Sequence, residues 1–316
     1  MKSVTLLFSI FLLFSVASCN LKGDQKNKAF AVQTQTGGFE LEGKITFEEF
    51  RAYRDIPVSI VEVNLPDLSK KRLTAGRFAW RHPEGEIIIT EGCGSRVNRL
   101  VLMEENGRKT LVSPCSSEIP NPGYSPTAFE FSRISPDKKY VAAEVKYYYQ
   151  DAYRYSTLVL KNKAIIKVFD NYAAPEWLPD GRLLMVSDGL YVSKIDGEPQ
   201  KIDDGSLISG PNNPDLDPSG KHIAFEWNQR IWTMDLDGKN LKELASGSAI
   251  YRYPEWSPNG KYIAFLSTNS YAYSDYARGI HIIEVDTGEN IFLDLAHVLG
   301  GKSGFHIPQG PLSWTK

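Results

Sequence analysis

The stretch Pro254–Leu266, Pro-Glu-Trp-Ser-Pro-Asn-Gly-Lys-Tyr-Ile-Ala-Phe-Leu, decides the fold of this chain. Its pattern predicts a short strand that ends near Trp256, a tight turn, and a second, apolar strand that begins at Lys261. The turn is Ser257–Gly260, Ser-Pro-Asn-Gly. Its proline presets φ at the first central position, and its Asn-Gly pair tolerates the positive φ that closes the turn.

The same unit returns along the chain, which makes the sequence an array of repeats. The other copies are Phe78–Thr90 (FAWRHPEGEIIIT), Phe131–Val145 (FSRISPDKKYVAAEV, with Lys138 in place of the turn glycine), Pro175–Ser187 (PEWLPDGRLLMVS) and Pro214–Trp227 (PDLDPSGKHIAFEW). Measured between turn prolines, the spacing is about 40 to 53 residues. A period of this length is typical of β-propeller blades of four strands each.

Two further strands follow the unit in each repeat. In one repeat, Gln229–Leu236 predicts a third strand, Asp237-Gly238 a hairpin turn and Asn240–Ala245 a fourth strand. The second strand of the unit is apolar on both faces, as in Tyr262–Leu266. A strand that is covered on both sides by neighbouring blades has this pattern, whereas a strand with one wet face would alternate.

The two ends of the chain predict a further blade that they build together. Gly310–Trp314 matches a first strand, while Lys44–Phe50, Val58–Asn64 and Lys71–Leu73 supply a second, third and fourth strand without a first. Joining them completes the blade, closes the ring and removes the free sheet edges. The sequence therefore predicts an all-β fold over residues 39–316, a six-bladed β-propeller of four-stranded antiparallel blades. An open or two-domain all-β arrangement is the alternative.

The first residues form a predicted targeting segment, residues 1–18, that does not belong to the fold. Lys2 supplies a positive charge, and Val4–Val16 is an apolar run too short to span a bilayer comfortably. The run ends in Val16-Ala17-Ser18-Cys19, which resembles the bacterial lipoprotein lipobox. The resemblance implies cleavage before Cys19 and lipid attachment to its thiol, which anchors the protein stably in a membrane. An ordinary secretory signal is the alternative.

Residues 19–38 are interpreted as the lipidated cysteine and a flexible tether, because the segment is polar and has no periodicity. Asn20, directly after the cysteine, favours the outer membrane under enteric-type sorting rules. The expected location is therefore the bacterial cell envelope, in the periplasm or facing outward.

The recurring form Pro-x-Trp-Ser-Pro-Asp-Gly-Lys-x-Ile-Ala-Phe resembles the TolB-type, WD-repeat-like propeller. It also resembles the propellers of prolyl oligopeptidase relatives. The resemblance covers roughly residues 40–316 and is strongest over residues 173–266. It implies the fold and not an activity. TolB has an α/β domain before its propeller and the oligopeptidases have a hydrolase domain; we expect neither here, since residues 20–39 are too few for the first.

Composition and motifs argue against several classes of function. The formal net charge of −2 is close to balance, so nothing points to nucleic acid or an acidic membrane surface as a partner. No Gly-x-Ser-x-Gly elbow occurs, and the five histidines stand at spacings unlike those of metal sites. We expect no metal, no cofactor and no catalytic residue. His222, in an apolar strand, is expected to be an interior residue, and Asp215 and Asp217 are expected to cap a turn.

Two cysteines remain once Cys19 is lipidated, and an even pair in an exported protein suggests a disulfide. Cys93 follows the second strand of the first complete blade, and Cys115 follows its fourth strand. Both loops lie on the same face of a four-stranded meander. A bridge would close about 20 residues and stabilise the fold by roughly 3 kcal/mol. Two buried free thiols are the alternative.

Two tyrosine-rich segments follow second strands and supply the candidate partner-binding residues. These are Tyr147, Tyr148, Tyr149, Asp151, Tyr153 and Arg154 in one blade, and Tyr271, Tyr273, Asp275, Tyr276 and Arg278 in another. The blade topology predicts that both segments emerge on one face. Tyr and Arg are frequent in the residues that dominate interface energetics, and tyrosine suits protein or sugar surfaces. The alternative is a pair of lengthened hairpins with tyrosines at β-favoured positions.

These features predict a lipid-anchored envelope scaffold, expected to be a monomer, that binds an envelope protein or glycan with one propeller face. The alternative is an enzyme with a site in the central channel, similar to polysaccharide lyases or of another hydrolytic kind. That alternative requires several of His82, His222, His281 and His306 to converge at the axis.

Overall fold

The structure is a computed structural model of the 316-residue chain. It describes residues 39–51, 58–65, 67–92, 98–104, 107–113, 125–203, 207, 210–247, 249–268, 277–293, 295 and 306–316. The predicted signal segment and tether, and with them Cys19, lie outside the described residues, as do Cys93 and Cys115. Lipidation and the disulfide therefore stay predictions. No helix long and apolar enough to cross a membrane is found in the described part of the chain.

Six sheets of four strands make up the described fold, and each sheet is one blade. From the innermost strand outward, blade 1 has β24 (His306–Thr315), β1 (Gly43–Arg51), β2 (Ser59–Leu65) and β3 (Lys70–Ala75); blade 2 has β4 (Arg77–Arg81), β5 (Ile87–Gly92), β6 (Asn98–Glu104) and β7 (Gly107–Val112); blade 3 has β8 (Ser125–Ile134), β9 (Val141–Tyr149), β10 (Ala152–Lys161) and β11 (Ala164–Asp170). Blade 4 has β12 (Ala173–Trp177), β13 (Leu183–Val186), β14 (Leu190–Ser193) and β15 (Gln200–Lys201); blade 5 has β16 (Asn212–Leu216), β17 (His222–Trp227), β18 (Arg230–Asp235) and β19 (Lys242–Ala245); blade 6 has β20 (Ile250–Trp256), β21 (Tyr262–Thr268), β22 (Ala277–Glu284) and β23 (Asn290–Leu293).

The six blades form a closed ring. Their innermost strands contact one another in the order β24, β4, β8, β12, β16 and β20, and β20 in turn contacts β24. All strands within a blade pair antiparallel with their neighbours. The predicted all-β six-bladed β-propeller is confirmed, and the open or two-domain alternative is wrong.

Blade 1 is completed by the two ends of the described chain, as predicted. Lys44 pairs with Thr315, Ile45 with Trp314 and Thr46 with Ser313. The indole Nε1–H of Trp314 donates to the carbonyl oxygen of Glu42 at 2.8 Å, which adds a side-chain contact to this pairing. Because the closing strand lies innermost, both ends of the chain are needed to complete the ring.

The apolar core lies in the seams between neighbouring blades. In the seam between blades 6 and 1, Ala264 packs in one cluster with Phe47 and Trp314. In the seam between blades 5 and 6, Ala224 packs with Trp256 and Phe265. Small side chains on the second strands leave room for the large rings of the next blade, which explains why these strands are apolar on both faces.

The repeated turn closes as its sequence predicts. In blade 6 the N–H of Gly260 donates to the carbonyl of Ser257 at 2.9 Å, and Gly260 has a φ of +70°. In blade 3 Lys138 takes the same left-handed conformation, with a φ of +58°. Asp217 caps the turn of blade 5, since its carboxylate accepts from the N–H groups of Lys221 and His222 at 2.7 and 2.8 Å.

Each innermost strand is bulged near its first half, and this feature shapes the central site. The register of β12, β16 and β20 with the second strand shifts at the bulge. Five of the six bulges contain one residue with left-handed φ: Phe78 (+48°), Ala174 (+45°), Asn213 (+46°), Tyr253 (+56°) and Gly310 (+70°). Four of these residues, all except Gly310, line one common cavity.

Candidate binding site

A cavity of about 780 Å³ opens at the end of the ring where the innermost strands begin; we call it the funnel, and this end the funnel end. Its lining residues come from blades 2 to 6, from Phe78 on β4 to Tyr253 on β20. The hairpin that connects β9 and β10 also reaches this end, since Tyr153 and Arg154 line the cavity. A cavity of this size lies within the 300–1,000 Å³ range of small-molecule sites.

The floor of the funnel is aromatic. The rings of Phe78 and Phe131 lie 6.0 Å apart in an edge-on arrangement, and the ring of Phe131 lies 6.1 Å from that of Tyr253. Burial, and then the Glu226 carboxylate, raise the pKa of the Tyr253 hydroxyl. The three rings provide a rigid apolar surface at the axis.

Three glutamates on second strands, of which Glu48 and Glu144 are buried and Glu226 is half-buried, hold the floor in place. Glu48, Glu144 and Glu226 accept hydrogen bonds from the backbone N–H groups of Phe78, Ala174 and Tyr253, at 2.6, 2.7 and 2.6 Å. Each bond links one blade to the next. Glu226 also accepts a bond of 2.5 Å from the side-chain amide of Asn213. These glutamates were not predicted; the only sequence signal is one acid inside an otherwise apolar second strand, as in Ala-Phe-Glu-Trp.

Burial disfavours the charged form of these three carboxyl groups. Burial, and then the nearby Glu130 carboxylate, raise the pKa of Glu144 to about 8, against the lowering effect of the hydrogen bond from Ala174. Burial also raises the pKa values of Glu48 and Glu226, against the lowering effect of their hydrogen bonds. Glu130 is compensated by the ammonium group of Lys146, 3.3 Å away. At neutral pH, Glu144 is therefore mostly uncharged.

The wall of the funnel carries amide and arginine side chains in addition to the glutamates. Its amides are Asn171, Asn212, Asn213, Asn228 and Gln229. Arg154 and Arg252 also line it, and neither forms an ion pair with any side chain that the structure describes, although the positive charge of Arg252 lowers the pKa of Glu226, against the raising effect of burial. The wall thus presents neutral donor–acceptor groups and positive charge.

The first tyrosine-rich segment is a lengthened hairpin of β9 and β10 at the rim of the funnel. Its tip is Gln150-Asp151, with φ values of +46° and +61°. Tyr148 and Tyr153 pair across the two strands, with ring centroids 5.3 Å apart, and remain 48% and 57% exposed. The Tyr148 hydroxyl donates to Asp151 at 3.0 Å. The structure confirms that this segment is a lengthened hairpin. The prediction that its residues bind a partner stays a prediction.

Neighbouring residues of this hairpin differ in their placement. Tyr147 is only 2% exposed and packs in the core between blades, and burial raises its pKa to about 12. The prediction that Tyr147 contributes to a contact surface is therefore wrong. Tyr153 and Arg154 line the funnel, and the ammonium of Lys146 lies 4.2 Å from the Tyr153 ring centroid. The side chain of Tyr149 lies outside the described part of the structure.

The second tyrosine-rich segment lies outside the described residues, which leaves Tyr271, Tyr273, Asp275 and Tyr276 as predictions. Arg278 is in β22, and its side chain is not described. Before this segment, Thr268 at the end of β21 pairs with Ile250. Ile250 lines the funnel, so β21 ends at the funnel end, as the topology predicts.

The opposite end of the axis, the closed end, contains a buried charged cluster. Arg133 is bound to Glu176 at 2.5 Å, with Asp215 and Glu255 nearby. Burial raises the pKa of Asp215 and of Glu255 well above the usual range, and repulsion among the carboxylates adds to this effect. Asp215 accepts from the N–H of Trp256 at 2.6 Å. The prediction that Asp215 caps a turn is wrong, whereas that for Asp217 is confirmed.

A small cavity of about 10 Å³ lies between the described residues of the funnel floor and this cluster, with room for about one water molecule. Phe131 and Tyr253 line both cavities. Among the described residues no group of three or more His, Cys, Asp or Glu side chains is placed to hold a metal ion.

The described histidines do not converge at the axis. His82 lies in the turn of blade 2 beside Glu86, His222 begins β17 of blade 5, and His281 stacks on Phe265 in blade 6. None of them lines the funnel. The interior placement expected for His222 is wrong, since its side chain is 50% exposed between Asp217 and Asp235. The side chain of His306 lies outside the described residues.

Comparison with known proteins supports the fold. No family model and no curated protein matches the sequence. Among solved structures, TolB from Acinetobacter baumannii has a TM-score of 0.60 at 14% identity, over 87% of this chain and 67% of that chain. A putative TolB from Agrobacterium tumefaciens has a TM-score of 0.55 at 15% identity, over 85% of this chain and 92% of that chain.

An enzyme shares the fold as well. An oligogalacturonate lyase in complex with manganese has a TM-score of 0.51 at 13% identity, over 81% of this chain and 74% of that chain. At such identities the likeness shows the fold alone. The chain is a six-bladed β-propeller whose fold is similar to that of TolB, and its function has to be argued from its own residues.

Proposed function

We propose that this protein is a binding scaffold of the bacterial cell envelope that holds an envelope protein or glycan at its funnel end. The observation that carries the proposal is the exposed Tyr148–Tyr153 pair, which stands beside the 780 Å³ funnel on the same end of the ring. A rigid aromatic pair next to a preformed cavity suits recognition without covalent chemistry.

The tyrosine pair is suited to a partner because little conformational entropy remains for it to lose on binding. The two rings contact each other, Asp151 orients the Tyr148 hydroxyl, and Lys146 lies over the ring of Tyr153. Tyrosine combines a flat apolar face with a polar tip, which suits both peptide and sugar surfaces. The proposed surface also includes Tyr149, Arg154 and the second segment, Tyr271, Tyr273, Asp275, Tyr276 and Arg278.

The proposed anchoring rests on the N-terminal sequence. Residues 1–18 would be removed, Cys19 would carry the lipid, and residues 19–38 would tether the propeller of residues 39–316, which acts as a monomer. The lipobox-like Val16-Ala17-Ser18-Cys19 and the following Asn20 support an outer-membrane location. The TolB likeness agrees with an envelope protein as a fold-level analogy. Labelling of cells with a radioactive fatty acid would test the anchor, and a Cys19→Ala chain that is still labelled would contradict it.

The binding role is tested by crosslinking in intact cells with a photoreactive residue in place of Gln150, at the tip of the hairpin. We expect a crosslinked partner with the native hairpin and its loss when Tyr148 and Tyr153 are both changed to Ala. Ile166→Ala is a matched control, since Ile166 is 46% exposed on an outer strand. Equal recovery from all three chains would contradict the proposal.

A further inference from the structure

A ligand in the funnel would have to bind mainly to side chains, because few backbone N–H groups there are free to donate. The N–H groups of Phe78, Ala174 and Tyr253 already donate to glutamate carboxyl groups. Prolines follow four of the left-handed residues directly, as Pro175, Pro214, Pro254 and Pro311, and a proline has no N–H to donate. An extended peptide that adds itself to an exposed strand edge would therefore find few partners on the innermost strands.

The available side chains match a ligand rich in hydroxyl groups. Asn212, Asn228 and Gln229 each offer a donor and an acceptor on one planar amide, and a hydroxyl group also donates and accepts. The aromatic floor of Phe78, Phe131 and Tyr253 provides an apolar surface below them. A saccharide has both properties, since its ring combines hydroxyls at the edge with apolar C–H faces.

The two guanidinium groups add a preference for negative charge. Arg154 and Arg252 line the funnel without an ion-pair partner among the described side chains. A guanidinium group binds a carboxylate through two parallel hydrogen bonds, a geometry that neutral hydroxyls do not reproduce. The carboxyl groups that line the funnel also have partners. Asn213 and the Tyr253 N–H donate to Glu226, the Ala174 N–H donates to Glu144, and Lys146 forms an ion pair with Glu130.

We infer that the funnel binds an acidic saccharide, with a sugar ring on the aromatic floor, hydroxyls on the wall amides and a carboxylate on Arg154 and Arg252. This inference rests on the proposed binding function and names the chemistry of its ligand. The same site would bind a neutral saccharide of equal length more weakly, because its hydroxyls cannot form the paired hydrogen bonds that a carboxylate forms with a guanidinium group.

The test is calorimetric titration of the full-length chain in detergent with four probes: a hyaluronan tetrasaccharide, a trimer of galacturonic acid, cellotetraose and a glutamate-rich peptide. We expect at least one acidic saccharide to bind at least tenfold more tightly than cellotetraose, and more weakly as the salt concentration rises. Equal affinity for the acidic and the neutral saccharides would overturn the inference. Binding of the acidic peptide alone would overturn it as well.

Substitutions test which residues cause the preference for a negatively charged saccharide. Arg252→Gln and Arg154→Gln should each weaken binding of the acidic saccharide about tenfold or more and leave binding of cellotetraose unchanged. Arg154 is exposed, so its variant does not put the fold at risk. Arg182→Gln is the control, since Arg182 is paired with Asp180 in a turn outside the funnel. Unchanged affinity in Arg154→Gln and Arg252→Gln would contradict the inference.

The inference and the proposed function can fail separately. A protein partner that crosslinks to the hairpin, with no saccharide bound by the funnel, would overturn the inference and leave the binding function standing. No crosslinked partner and no bound saccharide would contradict both.

Discussion

The two ends of the ring use buried carboxyl groups differently. At the closed end, contacts between innermost strands cross five of the six seams between blades: Ser313 Oγ with the backbone of Arg81, the Arg133 guanidinium over the Trp80 ring, Arg133 with Glu176, the Trp256 N–H with Asp215, and the Trp314 N–H with Glu255. At the funnel end, the glutamate bonds cross alternate seams, from Glu48, Glu144 and Glu226 to the following blade.

The closed end therefore holds the ring together, whereas the funnel end shapes the site. The closed end surrounds one arginine with three carboxyl groups and leaves almost no space. The funnel end fixes three backbone positions of the floor and leaves amides and arginines on the wall to face a large cavity. A strong polar network in a low-dielectric interior stabilises the fold when it is satisfied and is costly when one member is removed.

Deleting the strand that closes the ring should lower the stability of the protein more than any other change. A chain that stops before His306 lacks β24, and with it the Trp314 N–H that donates to Glu255. We expect no cooperative unfolding transition, because β1 and the neighbouring blades then expose free edges and apolar faces. Removal of Lys316 alone, which is exposed, is the control. A cooperative transition of the shortened chain near the native midpoint would contradict the closed ring.

Breaking the closed end alone should be the next most harmful change. Arg133→Met removes the cation from the three buried carboxyl groups, and we expect a loss of about 3–5 kcal/mol in the free energy of unfolding. Urea titration measures it. Arg182→Met, at an exposed ion pair, should cost less than about 1 kcal/mol. Equal midpoints for the two variants would show that the cluster does not hold the blades together.

Breaking one bond of the funnel end should cost less. Glu226→Ala leaves the Tyr253 N–H and the Asn213 amide without their acceptor, and we expect a loss of about 1–3 kcal/mol. Glu226→Gln keeps an acceptor oxygen and should lose less than half as much. If both variants lose the same free energy of unfolding in urea, the hydrogen bonds are not the cause.

The funnel end should also respond to pH. The pKa of Glu144 is about 8 in the folded protein, whereas an unfolded chain has a glutamate pKa of about 4.3. Between these values the folded state binds more protons, so this contribution to stability is present below about pH 4 and is lost as the pH rises through 8. Urea unfolding at pH 5, 6.5 and 8 should show a fall that is smaller in Glu144→Gln. An equal fall in both chains would contradict the buried acid.

The surface of the funnel end should matter least to stability. Tyr148→Ala removes an exposed side chain, and we expect its free energy of unfolding to stay within about 0.5 kcal/mol of the native value. Thermal unfolding measures this difference. Tyr147→Ala is the contrasting change: its side chain is buried, so a loss of about 3–5 kcal/mol is expected. Similar losses for the two neighbours would contradict their opposite placement.

Much of the fold followed from local sequence. Ser257–Gly260 predicts its own turn, because proline and glycine act on the backbone of the residues that carry them. The repeat of this turn set the number of blades, and the strands at the two chain ends then predicted their pairing, since an incomplete blade would expose sheet edges. The funnel-end position of the tyrosine hairpin followed from strand order alone.

By contrast, only the tertiary structure decided which side chains meet. The partners of Glu226 and Asp215 are Tyr253 and Trp256, which are 27 and 41 residues away in the next blade. A lone acid in an apolar strand gives no sign of such a partner. Tyr147 and Tyr148 look alike in sequence, but successive residues of a strand face opposite sides, and the packing of blade 3 in the ring decided which one is buried. Local chemistry thus determined the blades, and contacts across the seams determined the site.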